Sequence, residues 1–289
     1  MKSAMPSVRK IPLYARMVMG LFLSLPIGEM QAGAEFAADS IVFYYGDRPA
    51  VDRLSRFDLA VVEPDTGFSP PKEGETRTRW FAYVSVGEVS RSREYYKAIP
   101  ASWIAGYNKE WRSDVIDQTA EGWPEFMTER IIAPLWKRGY TGFFLDTLDS
   151  YQLVARDALD RRDSQAGLIA VIRAIRQRFP TARLILNRGF ELLPATHEHV
   201  YAVAFESLFK GWSEARGQYV DVPEDDRKWL LDRVDEVKRQ YGLPVIAIDY
   251  CPSAQYQCLK ETVERIRALD MIPYVGDGRL QQVNDALLD

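Results

Sequence analysis

Six polar residues stand directly behind short apolar runs: Glu63 after Ala60-Val61-Val62, Glu88 after Ser85-Val86-Gly87, Asp146 after Phe143-Phe144-Leu145, Asn187 after Leu184-Ile185-Leu186, Glu206 after Ala204-Phe205, and Asp249 after Ala247-Ile248. One such residue says little, because Asp, Asn and Glu are common wherever a chain leaves a strand, and Asp146 or Asp149 could equally cap a following helix. Taken together they would line one cleft with carboxyls, provided the fold brings the ends of the runs together. The chemistry open to such a cleft, without histidine, cysteine or basic clusters, is glycoside hydrolysis, which needs one protonated acid and one ionised carboxylate.

Positioning these groups requires strands. Phe143-Phe144-Leu145 is a run of strand-forming residues with no polar alternation, as in an interior strand covered on both faces. Similar runs recur at Ile41 to Tyr45, Leu59 to Val62, Phe81 to Val86, Arg183 to Leu186, Ala202 to Phe205, Pro244 to Ile248 and Ile272 to Val275, giving eight. Helical spacing comes after most of them: Phe126, Ile131, Ile132, Leu135 and Trp136 within 124–138, and Leu168, Val171, Ile172 and Ile175 within 164–179. Two more helices are expected, over 226–241 with Asp225 as cap and Gly242 as stop, and over 258–269. Alternating strand and helix with a count of eight predicts a (β/α)8 TIM barrel over 35–289, with a doubly wound open sheet as the alternative. In a barrel the C-terminal strand ends share one face, so the six groups would converge.

The long connections, after strands three and six, are expected to build or cover the site. They carry Tyr95, Tyr96, Trp103, Tyr107 and Trp111, and then Phe209, Trp212 and Tyr219. Aromatic faces stack on sugar C–H faces, or else simply pack the loops. Tyr44 and Tyr83, at or near strand ends, and Trp212 join Asn187 as candidate substrate contacts, while Glu88 and Asp249 either hold cationic amines or brace the rim.

The 289 residues are 47% hydrophobic, enough for one large globular core. Residues 1–34 read as a secretory signal peptide: Lys2, Arg9, Lys10 and Arg16 precede an apolar run from Met17 to Ile27, and Ala32-Gly33-Ala34 offers a cleavage site. Cleavage near Ala34 predicts a periplasmic or secreted protein, with an uncleaved membrane anchor as the alternative. Without this leader the net charge moves from −4 to about −7, which argues against a nucleic-acid partner. Tyr44-Tyr45-Gly46-Asp47-Arg48-Pro49 matches no phosphate-binding loop, so no nucleotide is expected. No cofactor or metal site is expected either: His197 and His199 read as surface residues, and Cys251 and Cys258 as either a disulfide or two buried thiols.

The blocks FAYVSVGE, GFFLDTLDSYQL, LILNRGFELLP, AFESLF and LPVIAIDY, in that order, resemble the hydrolase domain of the bacterial Pel exopolysaccharide protein and, more distantly, the fungal endo-α-1,4-polygalactosaminidases. The resemblance runs from about Ile41 to Leu280. It implies a (β/α)8 barrel acting on an α-1,4-linked galactosamine and N-acetylgalactosamine polymer, with Asp146 and Glu206 as the catalytic carboxylates. By similarity to retaining α-galactosidase-like barrels, Asp146 would be nucleophile and Glu206 general acid/base. The Pel protein continues into a deacetylase portion whereas this sequence ends at Asp289, so a stand-alone hydrolase is expected. The other reading is a non-catalytic carbohydrate-binding barrel or a subunit partnering polysaccharide biosynthesis and export proteins.

Overall fold

Runs apolar on both faces can be buried only between two layers, and here eight of them form the wall of a barrel. A computed structural model describes residues 38–288; the signal peptide expected over 1–34 lies outside the described residues. The strands are β1 (Ile41–Tyr44), β2 (Leu59–Val62), β3 (Arg79–Ser85), β4 (Gly142–Asp146), β5 (Arg183–Asn187), β6 (Ala202–Glu206), β7 (Val245–Tyr250) and β8 (Ile272–Gly276). They pair in parallel in chain order. At the seam Tyr274 on β8 donates its hydroxyl to the Phe43 carbonyl on β1 at 2.7 Å, and the two rings meet at 5.1 Å. This is a nearly closed (β/α)8 barrel, and the open-sheet alternative is set aside. Inside it Phe43 meets Phe144 edge-on at 5.1 Å and Phe144 stacks on Tyr83 at 6.3 Å, a layer of side chains from β1, β3, β4 and β8 that fills the interior.

The helices obey apolar spacing but not always its limits. Helix α1 (Ala158–Arg178) begins six residues before the expected start, because Asp157 caps it by accepting the Leu159 and Asp160 N–H groups at 2.8 and 2.9 Å. Its exposed first turns carry no apolar stripe to read. Helix α2 (Glu224–Tyr241) starts after Pro223 without a side-chain cap, so the expected Asp225 cap is corrected. Glu224, Asp225 and Asp226 instead lie in the first turn, where negative charge favours the helix dipole. Helix α3 (Tyr256–Arg267) is shifted two residues toward the N-terminus. The helical stretch Trp123–Lys137 widens to π geometry over Met127–Ile132, just before Pro134, which cannot donate to the preceding turn.

Two excursions interrupt the alternation, both leaving C-terminal strand ends. The β3–β4 connection holds a three-stranded antiparallel sheet of Glu88–Ser90, Ser113–Ile116 and Ile104–Asn108. The β6–β7 connection holds the hairpin Lys210–Ser213 with Gln218–Asp221. Gly87 opens the first, and a Cβ there would lie 2.0 Å from the Thr147 carbonyl, so only glycine lets the two strand ends approach. Cys251 and Cys258 form a disulfide between the end of β7 and α3. Among the described residues no helix is long and apolar enough to cross a membrane.

Candidate active site

Parity along each strand decides which strand-end groups enter the barrel mouth, because successive side chains point to opposite faces. Phe144 faces inward, so Asp146 does too, and the same parity turns Tyr83 and Asn187 inward. Tyr83 donates its hydroxyl to Asp146 Oδ2 at 2.7 Å. The Asn187 amide nitrogen donates to Asp146 Oδ1 at 2.7 Å and to Glu206 Oε1 at 3.1 Å. Because one nitrogen touches both carboxyls, those two oxygens are less than about 6 Å apart. Tyr250, inward on β7, donates its hydroxyl to the other oxygen of Glu206. Strands β3, β4, β5, β6 and β7 thus each supply one member of a single hydrogen-bonded chain: Tyr83, Asp146, Asn187, Glu206 and Tyr250.

The two carboxyls share this chain but differ electrostatically. Burial pushes Glu206 up to about 7, and the neighbouring Asp146 charge adds to the rise, against opposing hydrogen bonds from Tyr250 and Asn187. Burial also raises Asp146, but two donors, Tyr83 and Asn187, favour its ionised form. The Asp146 charge helps to hold the proton on Glu206. One carboxylate ionised beside one carboxyl still protonated near neutrality is the state that glycosidic bond cleavage requires. Both side chains are only partly buried, so the pair is open to the mouth of the barrel.

This geometry accompanies a family match. The sequence model of glycoside-hydrolase family GH114 matches residues 29–288. The chain belongs to that family. The hydrolase is 36% identical to the glycoside hydrolase domain of PelA from Pseudomonas aeruginosa, whose structure matches 86% of this chain and 98% of that one with a TM-score of 0.78. An uncharacterised protein of Deinococcus radiodurans is 26% identical over 244 residues, 79% of this chain and 76% of its own. The fold is shared with Aspergillus fumigatus Ega3, solved in complex with galactosamine, at a TM-score of 0.58 and 14% identity over 85% of this chain and 94% of that one.

Among the residues expected at the site, Asp146, Glu206, Asn187 and Tyr83 are brought together. Tyr44 is not: its hydroxyl donates to the Arg48 carbonyl at 3.0 Å, away from the carboxyls. The parity that turns Phe43 inward also turns Tyr45 inward. Tyr45 meets the Tyr83 ring at 5.0 Å with the two planes tilted, and its own acidity is suppressed by burial and by the charges of Asp146 and Glu206. Sequence reasoning misses Tyr45 and Tyr250 because tyrosine at a strand end reads as ordinary strand composition, although their odd and even places in the strands are there to count.

Glu88 and Asp249 each accept hydrogen bonds from neighbouring segments at the barrel rim. Asp249 is fully buried and accepts the backbone N–H groups of Leu208, Phe209 and Lys210 at 2.6, 2.8 and 2.9 Å, fastening the segment that comes after Glu206. Glu88 accepts from Ser113, Asn108 and Ser150, fastening the first excursion to the end of β4. Glu63 is taken by Arg93, which forks onto both its oxygens at 2.5 and 2.9 Å.

The loop aromatics divide. Trp103 packs against Trp123 and Phe126, Tyr95 against Phe126, and Phe209 under the Arg265 guanidinium. Tyr107 and Trp111 stay exposed. Trp212 is fixed by its Nε1–H bond to Glu214 at 2.9 Å and by its ring contact with Tyr219 at 4.9 Å. His197 and His199 lie far down the β5–β6 connection, the His197 ring tilted against Tyr241. Among the described residues no group of three or more His, Cys, Asp or Glu could hold a metal ion.

Proposed function

We propose that this hydrolase cleaves, within the chain, an α-1,4-linked polymer of galactosamine and N-acetylgalactosamine, with Asp146 as nucleophile and Glu206 as general acid/base. The observation that carries the residue assignment is the single Asn187 nitrogen bonded to both carboxyls, which come from the strands on either side of its own. That closeness favours a retaining mechanism, in which the carboxyls lie roughly 5 to 5.5 Å apart, over an inverting one, which leaves roughly 6.5 to 9.5 Å for a water. Asp146 attacks the anomeric carbon while the Glu206 proton passes to the departing glycosidic oxygen. Glu206, now ionised, then draws a proton from the water that releases the sugar from Asp146. Tyr83 and Asn187 hold the nucleophile, and Trp212 offers an aromatic ring to a sugar.

The substrate class rests on membership of the family together with the two relatives, one a hydrolase domain of PelA and one crystallised with galactosamine. The acidic net charge of −4 suits a cationic amino-sugar polymer. Export through the leader at 1–34, to the periplasm or beyond, accords with the Cys251–Cys258 disulfide, since such bridges persist in oxidising compartments. Polysaccharide biosynthesis and export proteins are its proposed neighbours there.

The test is incubation of the purified protein with a panel of polymers, reading reducing ends and, by NMR, the first-formed anomer. A galactosamine polymer cleaved faster than any neutral glucan, with the α product first, is expected. Faster cleavage of a neutral glucan would sink the substrate reading, and an initial β product would make Asp146 a general base.

A further inference from the structure

Arg188 comes directly after Asn187 and leaves β5 in the left-handed region, at φ 58°, an uncommon conformation for an arginine. Gly189 continues in it at φ 63°. A side chain thrown sideways by such a turn can reach across the sheet, and this one does. Its Nη2 donates to the backbone carbonyl of Glu206 at 2.6 Å, its own N–H bonds to the Ala204 carbonyl at 2.7 Å, and Nη1 lies 3.5 Å from Asp149, three residues beyond Asp146. Consecutive residues thus span the same gap twice: Asn187 ties the two carboxyl groups together, and Arg188 ties the backbone of β6 to the segment leaving β4.

We infer that Arg188 is a positioning residue for hydrolysis: its guanidinium fixes the carrier of Glu206 against the carrier of Asp146 and supplies a cationic charge beside the acid pair. This rests on the assignment of Asp146 and Glu206 as the reacting carboxyls. The groups facing Glu206 from the packed strands are Asp146 on β4, Arg188 just beyond β5, Tyr250 on β7 and Tyr45 beyond β1, with Tyr83 on β3 one contact further. Four of these five are anionic or phenolic. Arg188 opposes the rise in Glu206, and through Asp149 it also screens a charge that pushes Asp146 up. Strain at Arg188 is tolerable because three bonds hold the residue where the backbone alone would not.

Replacement by Gln keeps a long polar side chain but removes the charge, and Lys keeps the charge but removes the planar fork that reaches two partners at once. The experiment reads the Glu206 carboxyl directly, by carbon-13 NMR of protein labelled at glutamate carboxyls, with the Glu206 signal identified by its loss in Glu206→Gln. In Arg188→Gln the titration midpoint of Glu206 should rise by about a unit, and kcat should fall at least about tenfold with KM changed less than about threefold. In Arg188→Lys the midpoint should stay near that of the wild type while kcat still falls. A midpoint unmoved in Arg188→Gln, whatever happens to kcat or melting, would reduce Arg188 to a structural role and overturn the inference. So would wild-type kcat in Arg188→Lys. The titration needs no substrate, so failure of the wild type on galactosamine polymers would strike the substrate reading and leave this inference to be decided by the NMR arm.

Discussion

Asp249 and Glu206 sit at C-terminal ends of adjacent strands, both raised by burial, and yet they do different work. Asp249 has no exposed surface, and both its oxygens are taken by three backbone N–H groups. Glu206 is partly exposed, and its partners are side chains of the site itself, Asn187 and Tyr250. A carboxylate buried among fixed backbone donors stabilises a loop and has no exposed surface to offer a substrate. A carboxyl with few donors beside another acid keeps its proton to near pH 7 and can give it away. Both are acids at a strand end; the supply of donors separates them.

The comparison breaks most directly at the acids. Asp146→Asn and Glu206→Gln should each lower kcat by at least about a thousandfold, with thermal melting unchanged or raised, since the swaps keep volume and remove only the acid–base chemistry. Substantial activity in either variant would remove that residue from the mechanism. The opposite pattern is expected at the brace. Asp249→Ala leaves three N–H groups, two of them buried, without an acceptor and should cost about 3 kcal/mol of stability by urea denaturation, while the folded fraction keeps hydrolysis within about tenfold of wild type. A stable but inactive Asp249→Ala would place Asp249 in the chemistry.

A smaller effect sharpens the picture of Glu206. The acid role needs Glu206 protonated, so kcat/KM should fall as pH rises through about 7. The Tyr250 hydroxyl favours the ionised form and so holds Glu206 lower than burial alone would. Removing it in Tyr250→Phe should raise the Glu206 pKa and carry the alkaline limb of the pH–rate profile upward, with kcat down roughly tenfold. A limb that stays in place, or moves to lower pH, would mean that Tyr250 does not act on Glu206.

Much of the barrel is legible in the chain. The eight strand runs from Ile41 to Val275 are the eight strands of the barrel, within a residue or two at each end, because a strand buried on both faces must be apolar throughout and so advertises itself. Helix limits are less legible where they depend on polar residues: the Asp157 cap starts α1 six residues before the expected Ser164, and α2 begins on an acidic turn with no cap. At the site, motif likeness and strand-end position lead to Asp146 and Glu206, whereas the same reasoning selects Tyr44 in place of Tyr45. The difference between them is one of parity. A one-residue step along a strand exchanges the barrel interior for its outside, and composition is blind to it.

What the sequence by itself determined was the set of parts: apolar strands in a βα alternation, carboxyls at their ends, and blocks that match one family along the chain from residue 29 to 288. These are local properties, set by which residues can be buried and by the residue types next to them. What only the tertiary structure decided was the division of labour among like residues. Asp249 meets Leu208, Phe209 and Lys210 across 39 to 41 residues, Glu206 meets Tyr250 across 44, and Asn187 stands between two acids drawn from the strands on either side of it. A carboxyl's proton affinity depends on the donors and charges within a few ångströms, and closure of the barrel is what chooses those neighbours.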